Sequence, residues 1–176
     1  MVRQICGQGG FGATALESSR KTYPKAVSVP TTVRADARGI EDAAHFRTGL
    51  LIVGSHGTYK AALAAAKAFG AASGIAYDSQ GMIYDAKRGL ILPDDSDDEA
   101  YAGQYMRRRH DTCSGGNTCV SVERSEAYEG FRPGLYIVVA GVVGYGAEAD
   151  ERLKAARKIV PSAYIKQTTL YMGCIH

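Results

Sequence analysis

Apolar residues fall along this chain in short runs separated by glycine. Leu50-Leu51-Ile52-Val53 lies between Gly49 and Gly54. A run this short cannot make a helix and predicts a buried strand. The alanine-rich stretch Tyr59 to Ala72 follows, with Leu63, Ala66 and Phe69 or Gly70 on one stripe, and predicts a helix. Beyond Gly74, Ile75-Ala76-Tyr77 predicts a return strand, and Met82-Ile83-Tyr84 and Leu90-Ile91-Leu92 two more short ones. The same order then returns. Leu135 to Ala140 predicts a strand, Ala147 to Ile159 a helix, Ala163-Tyr164-Ile165 its return strand and Leu170-Tyr171-Met172 a last strand. Between the halves, Glu99 to Arg109 predicts a helix, while Cys119-Val120-Ser121-Val122-Glu123 alternates as a half-exposed strand does.

The two halves also share letters. Phe46-Arg47-Thr48-Gly49-Leu50-Leu51-Ile52-Val53 matches Phe131-Arg132-Pro133-Gly134-Leu135-Tyr136-Ile137-Val138 at six of eight positions, 85 residues on. Ala76-Tyr77, Gln80 and Tyr84 recur 87 residues on as Ala163-Tyr164, Gln167 and Tyr171. Internal repetition sets architecture before any single residue does. The expectation is an α+β fold: two strand-helix-strand repeats in one mainly antiparallel sheet, with the helices on one face and the other face available to an extended ligand. The repeats span 46–92 and 131–176 of a domain covering 41–176, with 93–130 as the connection. Residues 1–40 read as a flexible glycine-rich segment with one strand at Ala26 to Val29, and 36–46 as a short helix.

Composition adds limits. The chain has 176 residues, 45% of them apolar, enough for one buried core. The net charge is only +3, without the clustered basic excess of a nucleic-acid binder. Arg107-Arg108-Arg109-His110 is the local exception, and it follows the acidic run Asp94-Asp95-Ser96-Asp97-Asp98-Glu99. It reads as a solvated loop pairing opposite charges. No apolar run is long enough for a membrane span, and Met1 to Cys6 lacks the apolar core of a signal peptide.

Four cysteines leave two readings open: free thiols, or disulfides in an oxidising compartment, periplasmic or secreted. Cys113 and Cys119 flank the turn-rich Ser114-Gly115-Gly116-Asn117-Thr118, where a local bridge is easy; Cys6 and Cys174 remain near opposite ends. The histidines His45, His56, His110 and His176 show no metal-site spacing, and Gly141 to Gly146 lacks the order of a dinucleotide loop, so no metal or cofactor is expected.

The repeated tyrosine and glutamine positions Tyr77, Gln80, Tyr84, Tyr164, Gln167 and Tyr171 offer flat rings and uncharged donors and acceptors, the combination that recognises sugars or peptides. Shared packing in two copies is the competing explanation. A second constellation joins His56, at the end of an apolar strand, to Cys113 among small residues. This pair resembles the caspase-like cysteine peptidases, a resemblance that implies His56 as base and Cys113 as nucleophile.

The strand end Ile52-Val53-Gly54-Ser55, the alanine-rich helix and Ala163-Tyr164-Ile165-Lys166 together resemble the SPOR family of sporulation-related repeats. That resemblance implies a non-enzymatic bacterial envelope module contacting peptidoglycan glycan or a protein partner. The two resemblances make opposite demands on Cys113. A binding module leaves it free to bridge to Cys119; a peptidase needs its thiolate.

Overall fold

The structure, a computed structural model, describes residues 45–113 and 116–171. The expectations for 1–40, for the strand at Ala26 to Val29, for Cys6 and Cys174 and for the start of the 36–46 helix lie outside these residues. His45 and Phe46 belong to a strand instead.

The elements are β1 (His45–His56), α1 (Tyr59–Ser73), β2 (Ile83–Asp85), β3 (Gly89–Ile91), β4 (Ser121–Arg124), β5 (Tyr136–Val143), α2 (Ala147–Ile159) and β6 (Tyr164–Tyr171). Four strands form one antiparallel sheet in the order β4-β5-β1-β6, and β2 with β3 makes a separate hairpin. The fold is α+β. Because β5 is antiparallel to both β1 and β4, those two run parallel with β5 between them; likewise β5 and β6 run parallel with β1 between them. Each half is thus a split strand-helix-strand unit, and the halves interleave. The strand that closes the first unit in this sheet is β4, not Ile75 to Tyr77. Those residues contribute only an isolated bridge from Tyr77 to Val120.

Local chemistry explains the helices. Thr58 caps α1 by accepting the Ala61 N–H at 3.3 Å. Gly74, at φ 75°, ends it in the left-handed conformation that glycine adopts without strain. In α2, Glu148 and Asp150 sit in the first turn and Arg157 and Lys158 in the last, each sign matched to the helix dipole. Both helices pack on one sheet face: Ala62, Ala66 and Phe69 of α1 and Ala149 and Ala156 of α2 share a core with Leu51, Val53, Val122, Val138 and Ala140.

The second face is not simply open. Leu50, Ile52, Ile137, Val139 and Leu170 form a second core there, covered by Tyr128 and by Phe131. The loop after β4 therefore roofs the middle of the face expected to be available.

The largest departure concerns the arginine run. Residues 99–109 form no helix, and Arg108 is not solvated: it is 1% exposed. Its Nε donates to His110 O at 2.9 Å, its Nη1 to Cys119 O at 3.0 Å, Ser121 Oγ at 3.2 Å and Val139 O at 3.3 Å, and its Nη2 to Asp111 O at 2.6 Å. Glu123, at 0% exposure, accepts from Gln80 Nε2 at 3.0 Å, Tyr128 Oη at 3.0 Å, Arg108 N at 3.3 Å and Tyr105 Oη. Long-range hydrogen bonds thus hold this segment against β4, which a helix could not do. Local helix propensity loses to a buried charge that must find partners.

Asp111 extends the network to α2. It takes the Arg152 fork at 2.9 and 3.0 Å, Val142 N at 2.9 Å and Thr118 Oγ1 at 3.1 Å. Gly141 leaves room for this pair, because a Cβ there would overlap the Arg152 guanidinium and displace it from Asp111. Burial works against the charged Asp111, but Arg152, Val142 N–H and Thr118 outweigh it and hold the carboxyl below its usual 3.8. A folded-state pKa below the unfolded one stabilises the fold above the unfolded value, and that stabilisation is lost as pH falls through the folded value. Urea stability is therefore expected to drop as pH is lowered below about 4, and Asp111→Asn to flatten that acid limb. Identical acid slopes in both proteins would remove Asp111 from the account.

Candidate functional site

The repeated tyrosine and glutamine positions end up on opposite edges of the sheet. Tyr77 bridges to Val120 beside the edge strand β4, Gln80 binds Glu123 of β4, and Tyr84 lies in β2. Tyr164, Gln167 and Tyr171 all lie on β6, the other edge. The six residues do not converge on one site.

The first trio is engaged internally. Tyr84 stacks on Tyr59, with centroids 4.6 Å apart and planes within 5°, and Tyr136 stands edge-on to both at 5.8 and 6.3 Å. Tyr77 Oη is 3.5 Å from Tyr59 Oη. Burial first, and then the Tyr59 hydroxyl, push the Tyr77 hydroxyl well above its ordinary value. Tyr77 also borders a cavity of about 380 Å³ at the C-terminal end of α1. Tyr59 and Tyr136 were not among the sequence candidates; Tyr59 opens the alanine-rich helix and Tyr136 lies within the apolar run Leu135 to Ala140, where each reads as part of its element.

The second trio lines cavities that follow β6 in residue order. A cavity of about 210 Å³ at Tyr164 and Lys166 is bounded by Ser55, Phe131 and Arg132. The next, about 300 Å³, lies at Lys166 to Thr169 with Arg47 and Glu129. The third and largest, about 430 Å³, meets Tyr171 together with His45, Tyr101, Tyr105, Arg107 and Arg109. Lys166 belongs to the first two, and its Nζ sits 5.9 Å from the centre of the Phe131 ring. At the rise of a strand, Tyr164 to Tyr171 covers roughly 24 Å. Arg47, Arg107, Arg109, Arg132 and Lys166 face this path against one carboxylate, Glu129. This edge is aromatic and cationic, and side chains alternate along it: Tyr164, Lys166 and Leu170 turn to the roofed face, Ile165, Gln167 and Tyr171 to the helix face. It lies beside the roof formed by Ala127, Tyr128 and Phe131, where the second sheet face gives way to solvent.

His56 and Cys113 are not brought together. Cys113 is bonded to Cys119, with the Cα atoms 5.9 Å apart. His56 pairs with Tyr136 at the start of β5, whereas Ser121 pairs with Val139, which sets Cys119 level with Gly141. Five strand residues separate the two levels, roughly 17 Å. His56 Nε2 is buried without a hydrogen-bond partner among the described residues.

The site and the fold together define an α+β domain of interleaved strand-helix-strand units, stapled by the Cys113–Cys119 disulfide among the described residues and lined with cavities along an edge strand. No protein-family model matches the chain, and neither the curated proteins nor the solved structures contain a significant match. Among the described residues no helix is long and apolar enough to cross a membrane.

Proposed function

We propose that this chain is a non-enzymatic binding module of the bacterial cell envelope, working outside the cytoplasm, and that the groove along β6 holds an extended anionic polymer, peptidoglycan glycan with its stem carboxylates. The observation that carries this reading is the row of three cavities along the β6 edge, which an extended chain could follow past Tyr164 and Lys166 on the roofed face and Gln167 and Tyr171 on the helix face. Tyrosine and phenylalanine rings offer apolar faces to sugar rings, and glutamine and threonine offer neutral hydrogen bonds. Arginines beside them suit carboxylates, which they bind in a planar fork. The SPOR-like strand end contributes Ser55 to the first cavity. The disulfide supports an oxidising compartment. With Cys113 bridged, no thiolate supports the peptidase alternative.

Co-sedimentation with purified peptidoglycan sacculi tests the reading. The full chain is expected to pellet with sacculi, less so as salt rises. Tyr164→Ala and Tyr171→Ala should each weaken binding about tenfold, as loss of an aromatic anchor does. Tyr84→Ala, on the opposite edge, should leave it unchanged. Failure to pellet, or equal loss in all three variants, would overturn the proposal.

A further inference from the structure

A different cluster lies at the β4 edge. Asp78, Cys113 and Cys119 offer ligand atoms within 4.8 Å of one another. Asp78 is fixed in place by its main chain, whose N–H donates to Val120 O at 2.9 Å, and by its Oδ1, which accepts the Gln80 N–H at 2.6 Å. Cys119 is buried and Cys113 half-buried, so the site is shielded on one side and reachable on the other. Two sulfurs and a carboxylate are a donor set suited to a borderline-soft divalent ion, zinc above all.

We propose that reduction of the Cys113–Cys119 bridge creates a zinc site with Cys113 Sγ, Cys119 Sγ and a carboxylate oxygen of Asp78 as ligands, water taking the fourth tetrahedral position. The chemistry balances with a dithiol as reductant. The dithiol supplies two electrons and two protons, the S–S bond breaks to give two thiols, and the reductant closes to its own disulfide. Zinc then displaces the two thiol protons, forming two Zn–S bonds, and takes one Zn–O bond from Asp78. Two sulfurs on one tetrahedral zinc lie about 3.8 Å apart. Rotation of the two cysteine side chains reaches that separation while the Cα atoms keep their 5.9 Å spacing. The bridge and the metal therefore exclude each other. Asp78, Cys113 and Cys119 line none of the three cavities along β6, so metal loading and polymer binding can be measured separately.

Cobalt and zinc are the probes. The full chain carrying Cys6→Ser and Cys174→Ser, reduced and freed of reductant, is expected to develop thiolate-to-cobalt charge-transfer absorption saturating at one ion per chain. Cobalt binding should release two protons, and zinc should then displace the cobalt and abolish the band with no further proton release. The unreduced protein should show no such band. Asp78→Asn keeps the oxygen that accepts the Gln80 N–H and should weaken zinc binding about tenfold or more. A reduced chain without the band, a band that persists in Cys113→Ser, or unchanged zinc affinity in Asp78→Asn would overturn the proposal.

Discussion

Arg108→Ala is expected to lower the stability of this domain by about 3–5 kcal/mol, the cost of removing one partner from a buried, hydrogen-bonded charge network. The substitution leaves the carbonyls of Cys119, Val139, His110 and Asp111 without the donor that now satisfies them. It also removes a guanidinium that attracts the buried Glu123 carboxylate. Small domains hold only about 5–15 kcal/mol, so the loss should be plain in a urea titration. Arg108→Lys keeps the charge but offers a point donor in place of a fork whose three nitrogens reach five acceptors. It should fall between the two. A midpoint for Arg108→Ala within about 0.5 kcal/mol of the wild type, the usual range for surface positions, would mean that Arg108 is solvated after all.

Glu123→Ala should cost a comparable amount, about 3–5 kcal/mol, for the complementary reason. Its carboxylate collects donors from four places in the chain: Gln80, Tyr105, Arg108 and Tyr128. Each donor left buried without an acceptor costs about 1–3 kcal/mol, although hydration of the new cavity recovers part of that. Glu123→Gln keeps one acceptor oxygen but turns an amide toward hydroxyls, and only a hydroxyl that rotates to accept relieves the clash. An intermediate loss is expected. Combining Arg108→Ala with Glu123→Ala should cost less than the sum of the two, with a coupling of about 1–3 kcal/mol. Strict additivity would show that the two groups do not act as one network.

The network also explains what could be read in advance. Strand β5 and helix α2 fall where the apolar run Leu135 to Ala140 and the stretch Ala147 to Ile159 put them, because glycine boundaries, propensity and dipole-matched charges act over a few neighbouring residues. Leu170 and Tyr171 extend the Ala163 to Ile165 strand rather than making another, because nothing between them, Lys166 to Thr169, turns the chain. Ser121 and Glu123 alternate with Val120 and Val122, a pattern that predicts one wet face. Both faces are dry, because residues 105–111 lie across the polar one.

The candidate site divides the same way. Tyr164, Gln167 and Tyr171 were legible as candidates from the repeat, and each meets a cavity along the β6 edge, Tyr164 on the roofed face and the other two on the helix face. Tyr77, Gln80 and Tyr84 carry the same letters, but Gln80 spends its amide on Glu123 and the tyrosines pack on Tyr59 and Tyr136. Arg47, Arg107, Arg109 and Arg132 had no signal as groove residues, since a cationic path appears only when distant segments are laid beside β6.

By itself, then, the sequence determined the class of the fold, the duplication of its strand-helix unit and both helices, and it offered the cysteine bridge as one of two readings. Each rests on periodicity, capping or short-range geometry carried by residues close in the chain. Tertiary structure alone decided that β4 closes the first unit, that one arginine of a charged run is buried while its neighbours line a groove, and that matching tyrosines take different roles. Those outcomes depend on which remote groups satisfy a buried charge, and the energy of that choice is set by partners 15 to 43 residues away.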